Sequence, residues 1–171
     1  MLFWLSFIFL GVILAFGLVV FVGPPYLPTF RKQTETALDL LDLKEGETLL
    51  ELGSGDGRVM LAAAKRGLKV VGIEINPILC VVSWVVTRKY RSQVRIIWGS
   101  YWGKPWPRAD AIFTFMLPKY MGRLGERIVK WLPEGKSIRL ASFAFVIPDK
   151  EPVEKRDGVM LYSFDSSTNT L

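Results

Sequence analysis

The chain has 171 residues, half of them hydrophobic, which is room for one apolar anchor and one domain of ordinary size. It carries a net charge of +6, a single cysteine, Cys80, and no histidine. That composition excludes an internal disulfide framework, a multi-cysteine zinc site, the Ser-His-Asp and Cys-His nucleophile systems and histidine-ligated catalytic metals. No metal is expected, and the chemistry has to run without imidazole.

Residues 1–22 contain no charged residue, and Ser6 is their only hydroxyl. As a helix, residues 2–22 would reach about 31 Å, enough to cross a hydrocarbon core of roughly 30 Å. No Lys or Arg precedes the run, so the basic n-region of a secretory signal peptide is missing. Residues 1–23 are therefore expected to be a retained transmembrane helix ended by Pro24 and Pro25. The first charges, Arg31 and Lys32, follow the run, which by the positive-inside rule predicts a single-pass protein with its domain on the cytoplasmic side of the bilayer.

Residues 24–46 read as a linker and a pre-core helix. Ala37, Leu38, Leu40 and Leu41 give the apolar stripe of a helix over 30–43, which Gly46 stops. The remaining domain occupies 47–171. Strands are predicted at 48–52, 69–75, 94–98, 109–117 and 137–147, with helices at 58–66, 78–91 and 119–132. Asn76-Pro77 caps the second of these helices. Residues 159–164 are expected to return as an antiparallel edge strand. Strands alternating with helices imply βαβ units, hence an α/β fold with a mostly parallel, doubly wound sheet.

Glu51-Leu52-Gly53-Ser54-Gly55-Asp56-Gly57 stands at the first strand end and leads into a helix. Glycine at every second position lets the backbone pass close to a ligand, and ligands in such sheets bind at the carboxyl ends of the strands. The dinucleotide fingerprint G-x-G-x-x-G would require glycine at position 58, where the chain has Arg58, so NAD is disfavoured. The second strand closes on Glu74, whose carboxylate can accept two hydrogen bonds from a diol. The bland alternative is a tight turn beside a solvated acid. At the third strand end, Ser100 and Tyr101 lie among Trp98, Trp102 and Trp106, which either pack the core or mark a membrane interface.

The acidic-x-G-x-G-x-G pattern resembles motif I of the class I S-adenosylmethionine-dependent methyltransferases, whose Rossmann-like fold matches the predicted element order. That resemblance implies S-adenosylmethionine as cofactor. It places Glu51, Gly53, Ser54, Gly55, Asp56 and Gly57 around the methionine portion, Glu74, Ile75 and Asn76 around the ribose, and Ser100 and Tyr101 beside the adenine. Many members carry Asp where this chain has Ser100, which is a weaker acceptor.

A narrower likeness follows from Pro25-Tyr26-Leu27-Pro28-Thr29, Leu50-Glu51-Leu52-Gly53-Ser54-Gly55-Asp56-Gly57-Arg58, Ala62-Ala63-Ala64-Lys65 and Gly72-Ile73-Glu74-Ile75-Asn76-Pro77, in that order. This resembles the membrane-anchored protein-lysine methyltransferases of the ATP synthase c-subunit and adenine nucleotide translocase, and their prokaryotic relatives. The likeness implies a lysine of a membrane protein as acceptor and places Leu117 and Pro118 on the acceptor side. It makes Tyr26 part of a segment that closes over the cofactor, although an interfacial aromatic at the end of the anchor explains Tyr26 equally well. Tyr26 and Asp56 are the candidate catalytic side chains. No mitochondrial transit segment is recognisable, so the prokaryotic plasma membrane is expected rather than the mitochondrial inner membrane. The fourth strand also lacks the Asn/Asp-Pro-Pro-Tyr/Phe sequence of enzymes that methylate exocyclic amines of DNA bases, so no nucleic-acid partner is expected. Two alternatives remain: a methyltransferase for a membrane lipid or quinone, and a non-catalytic membrane-tethered domain that binds the cofactor.

Overall fold

The computed structural model describes residues 3, 4, 6, 7, 9–11 and 28–166. The span expected over 1–23 falls mostly outside them, and Tyr26 falls wholly outside. Among the described residues, no helix is long and apolar enough to cross a membrane.

Helix α1 (Arg31–Leu41) leads into strand β1 (Thr48–Leu52), helix α2 (Arg58–Lys65), strand β2 (Lys69–Glu74) and helix α3 (Pro77–Val86). A 3-10 turn (Arg88–Tyr90), β3 (Val94–Trp98), β4 (Ala111–Thr114), α4 (Pro118–Trp131), β5 (Ser137–Phe143), β6 (Glu154–Arg156) and β7 (Val159–Asp165) complete the order. The strands form one sheet in the order β3-β2-β1-β4-β5-β7-β6. β1 to β5 pair in parallel, while β7 runs antiparallel between β5 and β6. Strand order reverses at β1, between β2 and β4, which is where sheets of this kind bind ligands.

Side-chain alternation along β1 sorts the core into two layers. Leu49 packs with Ala37, Leu38, Leu41, Val59, Met60 and Ala63 of α1 and α2. Leu50 and Leu52 pack on the opposite face with Met121, Leu124 and Ile128 of α4. Each such leucine, removed from water, contributes about 1.5–3 kcal/mol. The sheet is thus covered on both faces, as expected from its parallel strands. Glu51 shares the α1–α2 face with Leu49, so its carboxylate is carried into an apolar layer.

Several expected boundaries differ, each for a local reason. α1 stops at Leu41 because Asp42 takes a left-handed conformation (φ 43°), before Gly46 is reached. α3 ends at Val86 rather than residue 91. There the Thr87 hydroxyl donates to the Ser83 carbonyl at 2.7 Å and the chain tightens into the 3-10 turn. β4 covers 111–114 rather than 109–117, because its partners leave the ladder at Leu52 and Ser142, both opposite Thr114. β5 ends at Phe143 rather than residue 147: Ala144 turns left-handed (φ 69°), and the Ser142 hydroxyl donates to the Phe145 carbonyl at 2.8 Å. β7 is not the edge strand. Asp157-Gly158, with φ of 52° and 78°, forms the two-residue hairpin turn that such a pair favours, and β6 lies outside β7. The Asp157 carboxylate also accepts from the Thr36 hydroxyl at 2.9 Å and pairs with Lys32, which pins α1 to this hairpin.

Candidate active site

The glycine bend lies across the carboxyl ends of β1 and β2. Gly53, Gly55 and Gly57 have φ of 81°, 54° and 82°, a region costly to residues bearing a Cβ. The Gly53 and Ser54 amides donate to the Ile73 carbonyl at 2.9 and 3.3 Å, and Gly57 closes back on the Ser54 carbonyl at 3.0 Å. Gly53 is exposed, and a Cβ built on it would meet only the Tyr101 ring, at 4.0 Å. A ligand can therefore lie directly against this backbone. Behind the bend, Gly72 leaves room that a side chain would take from Met60 and Ser54.

Glu74 fastens the bend. Although it is 7% exposed, both carboxylate oxygens are engaged: one accepts from the Gly55 amide at 2.8 Å, the other from the Asn76 amide at 2.8 Å. An ionised carboxylate offers about four lone-pair positions, so two remain for hydroxyl groups presented together. Asn76 uses its side-chain oxygen to cap α3 through the Ile78 and Leu79 amides, and Ile75 offers its carbonyl to the Trp98 indole at 3.0 Å. Glu74 is thus the side chain of this trio available to a ligand, while its two neighbours position it.

Glu51 is 3% exposed, and one of its carboxylate oxygens has no hydrogen-bond partner among the described residues; the Ser54 hydroxyl beside it is likewise unpartnered. Burial pushes its pKa well above the usual carboxylate range, with the charges of Asp56 and Glu74 pushing the same way. A raised folded-state pKa means that the unfolded chain gives up this proton more readily. The group's contribution to stability is therefore complete below the unfolded value of about 4.3 and is lost as pH rises through the folded value. Glu51→Gln should accordingly stabilise the ligand-free protein at pH 8, by about 1–3 kcal/mol, the usual scale for one unsatisfied buried group, and much less at pH 5. Urea unfolding at both pH values checks this. An equal effect at the two pH values would show that ionisation is not the cause.

At the third strand end, Ser100 accepts from the Trp102 amide at 3.2 Å. Tyr101 is half-buried, and burial, then Tyr120, then Glu74, push its phenol up to about 12. It therefore stays protonated near neutral pH, able to offer a ligand a hydrogen bond but no charge. Trp106 packs in the core at 7% exposure, whereas Trp98 is 65% exposed, so the three tryptophans do not share one role. The Arg127 guanidinium donates to the Trp102 and Lys104 carbonyls at 2.7 and 2.8 Å, tying the 99–107 loop to α4.

Asp56, expected at the site, turns toward Arg58, which meets it through Nε at 3.1 Å and Nη2 at 2.7 Å, and it borders the groove between α1 and α2. Leu117 caps α4 and is half-buried; Pro118 opens that helix and is exposed. Beside them, Phe115 packs on Phe143 and Phe145, with ring centroids 4.7 and 6.1 Å apart. These rings stand at the carboxyl ends of β4 and β5. Sequence reading missed them and Tyr120, although Phe115 and Tyr120 flank the Leu117-Pro118 pair it did select.

Residues 51–154 match the family described as the ANTKMT methyltransferase domain. The chain belongs to that family. It is similar to the human lysine N-methyltransferase named for the ATP synthase c-subunit, at 30% identity over 154 residues, 84% of this chain. It spans 62% of that relative's length. A protein-lysine N-methyltransferase of Saccharolobus islandicus is 28% identical over 143 residues, covering 80% of this chain and 88% of the relative. Among solved structures, an RNA methyltransferase from Salinibacter ruber in complex with S-adenosyl-L-homocysteine superposes with a TM-score of 0.70 at 25% identity, covering 81% of this chain and 92% of that one. The site fits the family's chemistry: a Cβ-free approach at Gly53, a carboxylate with room for a diol, and an unpartnered buried Glu51 oxygen that a cationic ligand would relieve.

Proposed function

We propose that this chain transfers the methyl group of S-adenosylmethionine to the side-chain amine of a lysine in a membrane protein. The observation that carries the reading is the Glu74 carboxylate, buried at the end of β2 and bonded to the glycine bend, in a chain whose family is a methyltransferase family. When bound, S-adenosylmethionine supplies an already activated methyl electrophile, so positioning can account for much of the acceleration. The chain's residues have the positioning role. Glu74 and the glycine bend hold the nucleoside, and Ser100 and Tyr101 border its base. Phe115, Phe143 and Phe145 give the acceptor side apolar and aromatic faces that suit an alkylamine stem and, by cation–π attraction, a methylated ammonium. The amine has to be neutral when it attacks, and low polarity beside a cationic donor favours that form. With Asp56 engaged by Arg58, water is the simplest proton acceptor. Tyr26 stays in the proposal as the residue that closes the cofactor side.

The remainder of the reading is proposed with it: residues 1–23 cross the bilayer once, residues 47–171 form the catalytic domain on the cytoplasmic side, and the membrane is a prokaryotic plasma membrane. The relatives' names support a lysine acceptor. Incubating the detergent-solubilised protein and methyl-labelled cofactor with its native membranes should label a protein band, and mass spectrometry should place the label on lysine. Label confined to lipid or quinone extracts, or to RNA, would reject the acceptor. Binding without any labelled product would reject the enzyme in favour of a tethered binding domain.

A further inference from the structure

Helix α3 exposes what a surface helix ordinarily buries. Of its residues, only Leu79 and Ser83 are buried, while Val81, Val82, Trp84, Val85 and Val86 are 62, 38, 52, 43 and 37% exposed. Trp98, on the neighbouring edge strand β3, is 65% exposed and donates to the Ile75 carbonyl at the helix entry. The apolar face thus runs from Trp98 along the helix. Single exposed hydrophobics are ordinary, but a continuous patch marks a contact surface. Valine is also a poor choice for an exposed helical position on propensity alone, so these side chains do not serve the helix itself.

The charge around the patch identifies what it contacts. Residues 75–109 contain Arg88, Lys89, Arg91, Arg95, Lys104 and Arg108 and no Asp or Glu. Outside this segment the chain has 16 basic and 16 acidic residues, out of 22 and 16 in all. The whole positive excess of the protein therefore belongs to the segment that carries the apolar helix. Arg88 and Lys89 follow α3 after its cap residue Thr87, and the Arg91 guanidinium lies 4.0 Å above the Trp84 ring. Valines and tryptophans bordered by cations that form no ion pair among the described residues match the region where acyl chains meet anionic headgroups.

We infer that the exposed face of α3, with Trp98 and the Arg88-Lys89-Arg91 cluster, docks on the surface of an anionic phospholipid bilayer. This contact is separate from residues 1–23 and independent of the methyl-transfer reading. It holds the β3 edge of the sheet against the membrane and directs the opposite β6 edge away from it.

The test uses the full chain reconstituted in mixed phosphatidylcholine–phosphatidylglycerol vesicles, with p-benzoylphenylalanine placed at Val81 in one sample and at Lys155, on exposed β6, in another. Irradiation should give lipid adducts at position 81 and few at 155. The yield at 81 should fall in pure phosphatidylcholine, and should fall in the Arg88→Gln/Arg91→Gln variant by roughly fivefold per charge removed. Adducts from position 81 to residues 1–27 would identify the apolar N-terminal segment as the occupant, and adducts to a second copy would identify self-association; either overturns the inference. Equal lipid labelling at 81 and 155 overturns it as well.

Discussion

Glu74→Ala should reduce the affinity for S-adenosylmethionine by about 100- to 10,000-fold while leaving the sheet folded. Each hydrogen bond from a ribose hydroxyl to a carboxylate is worth about 1.5–3 kcal/mol, and two are lost together. The same substitution releases the Gly55 and Asn76 amides, so the bend that should meet the methionine portion loses its tether as well. Glu74→Gln should fall between wild type and alanine, because an amide offers one acceptor oxygen and cannot receive both backbone amides as the carboxylate does. Calorimetric titration of the three proteins, with circular dichroism to confirm the fold, checks the order. An alanine variant binding within about threefold of wild type would mean that two charge-assisted bonds are not being made there.

The largest effect on folding is expected at Gly57. It caps α2 with φ of 82°, and a Cβ there would meet the Ser83 hydroxyl as well as the Ser83 Cα and Cβ, both at 3.0 Å. Gly57→Ala therefore combines left-handed strain of about 1–2 kcal/mol with overpacking of about 1–3 kcal/mol. The second contribution arises because α3 has to move as a body. Gly135 is the control, since its φ is 70° and nothing stands within 4 Å of the added atom. Gly135→Ala should cost only the strain, and Gly57→Ala about 2–5 kcal/mol. Urea denaturation of both checks the difference. Equal costs would remove the claim that α2 and α3 meet without slack at this glycine.

Much of the sheet was legible because its signals are local. Apolar runs such as 48–52 and 94–98 stand between turn residues, and Asn76-Pro77 announces its helix by capping chemistry. Strand ends were less legible, because a strand stops where its neighbours leave the ladder. Nothing in residues 109–117 shows that Leu52 and Ser142 depart opposite Thr114. The β6 strand was readable and overlooked: Asp157-Gly158 is a strong hairpin signal, but the flanking residues 154–156 are charged and exposed and carry no apolar alternation.

The site divides in the same way. The glycine bend and Glu74 could be read from sequence because their spacing relative to two strand ends is fixed by the fold. The Phe115-Phe143-Phe145 cluster could not, since the ends of two strands far apart in the chain bring it together. Asp56 was chosen for its place in the motif, and only the structure shows it turned onto Arg58. The exposure of the α3 valines has no local signal in the sequence, since it depends on what packs over this edge of the sheet.

Whether the glycine bend and Glu74 hold S-adenosylmethionine is tested most directly by calorimetric titration of the unsubstituted 171-residue chain in detergent with that cofactor, followed by NAD as competitor. Saturable binding at one site per chain, which NAD does not displace, is the expected result. Absence of binding, or displacement by NAD, would contradict it.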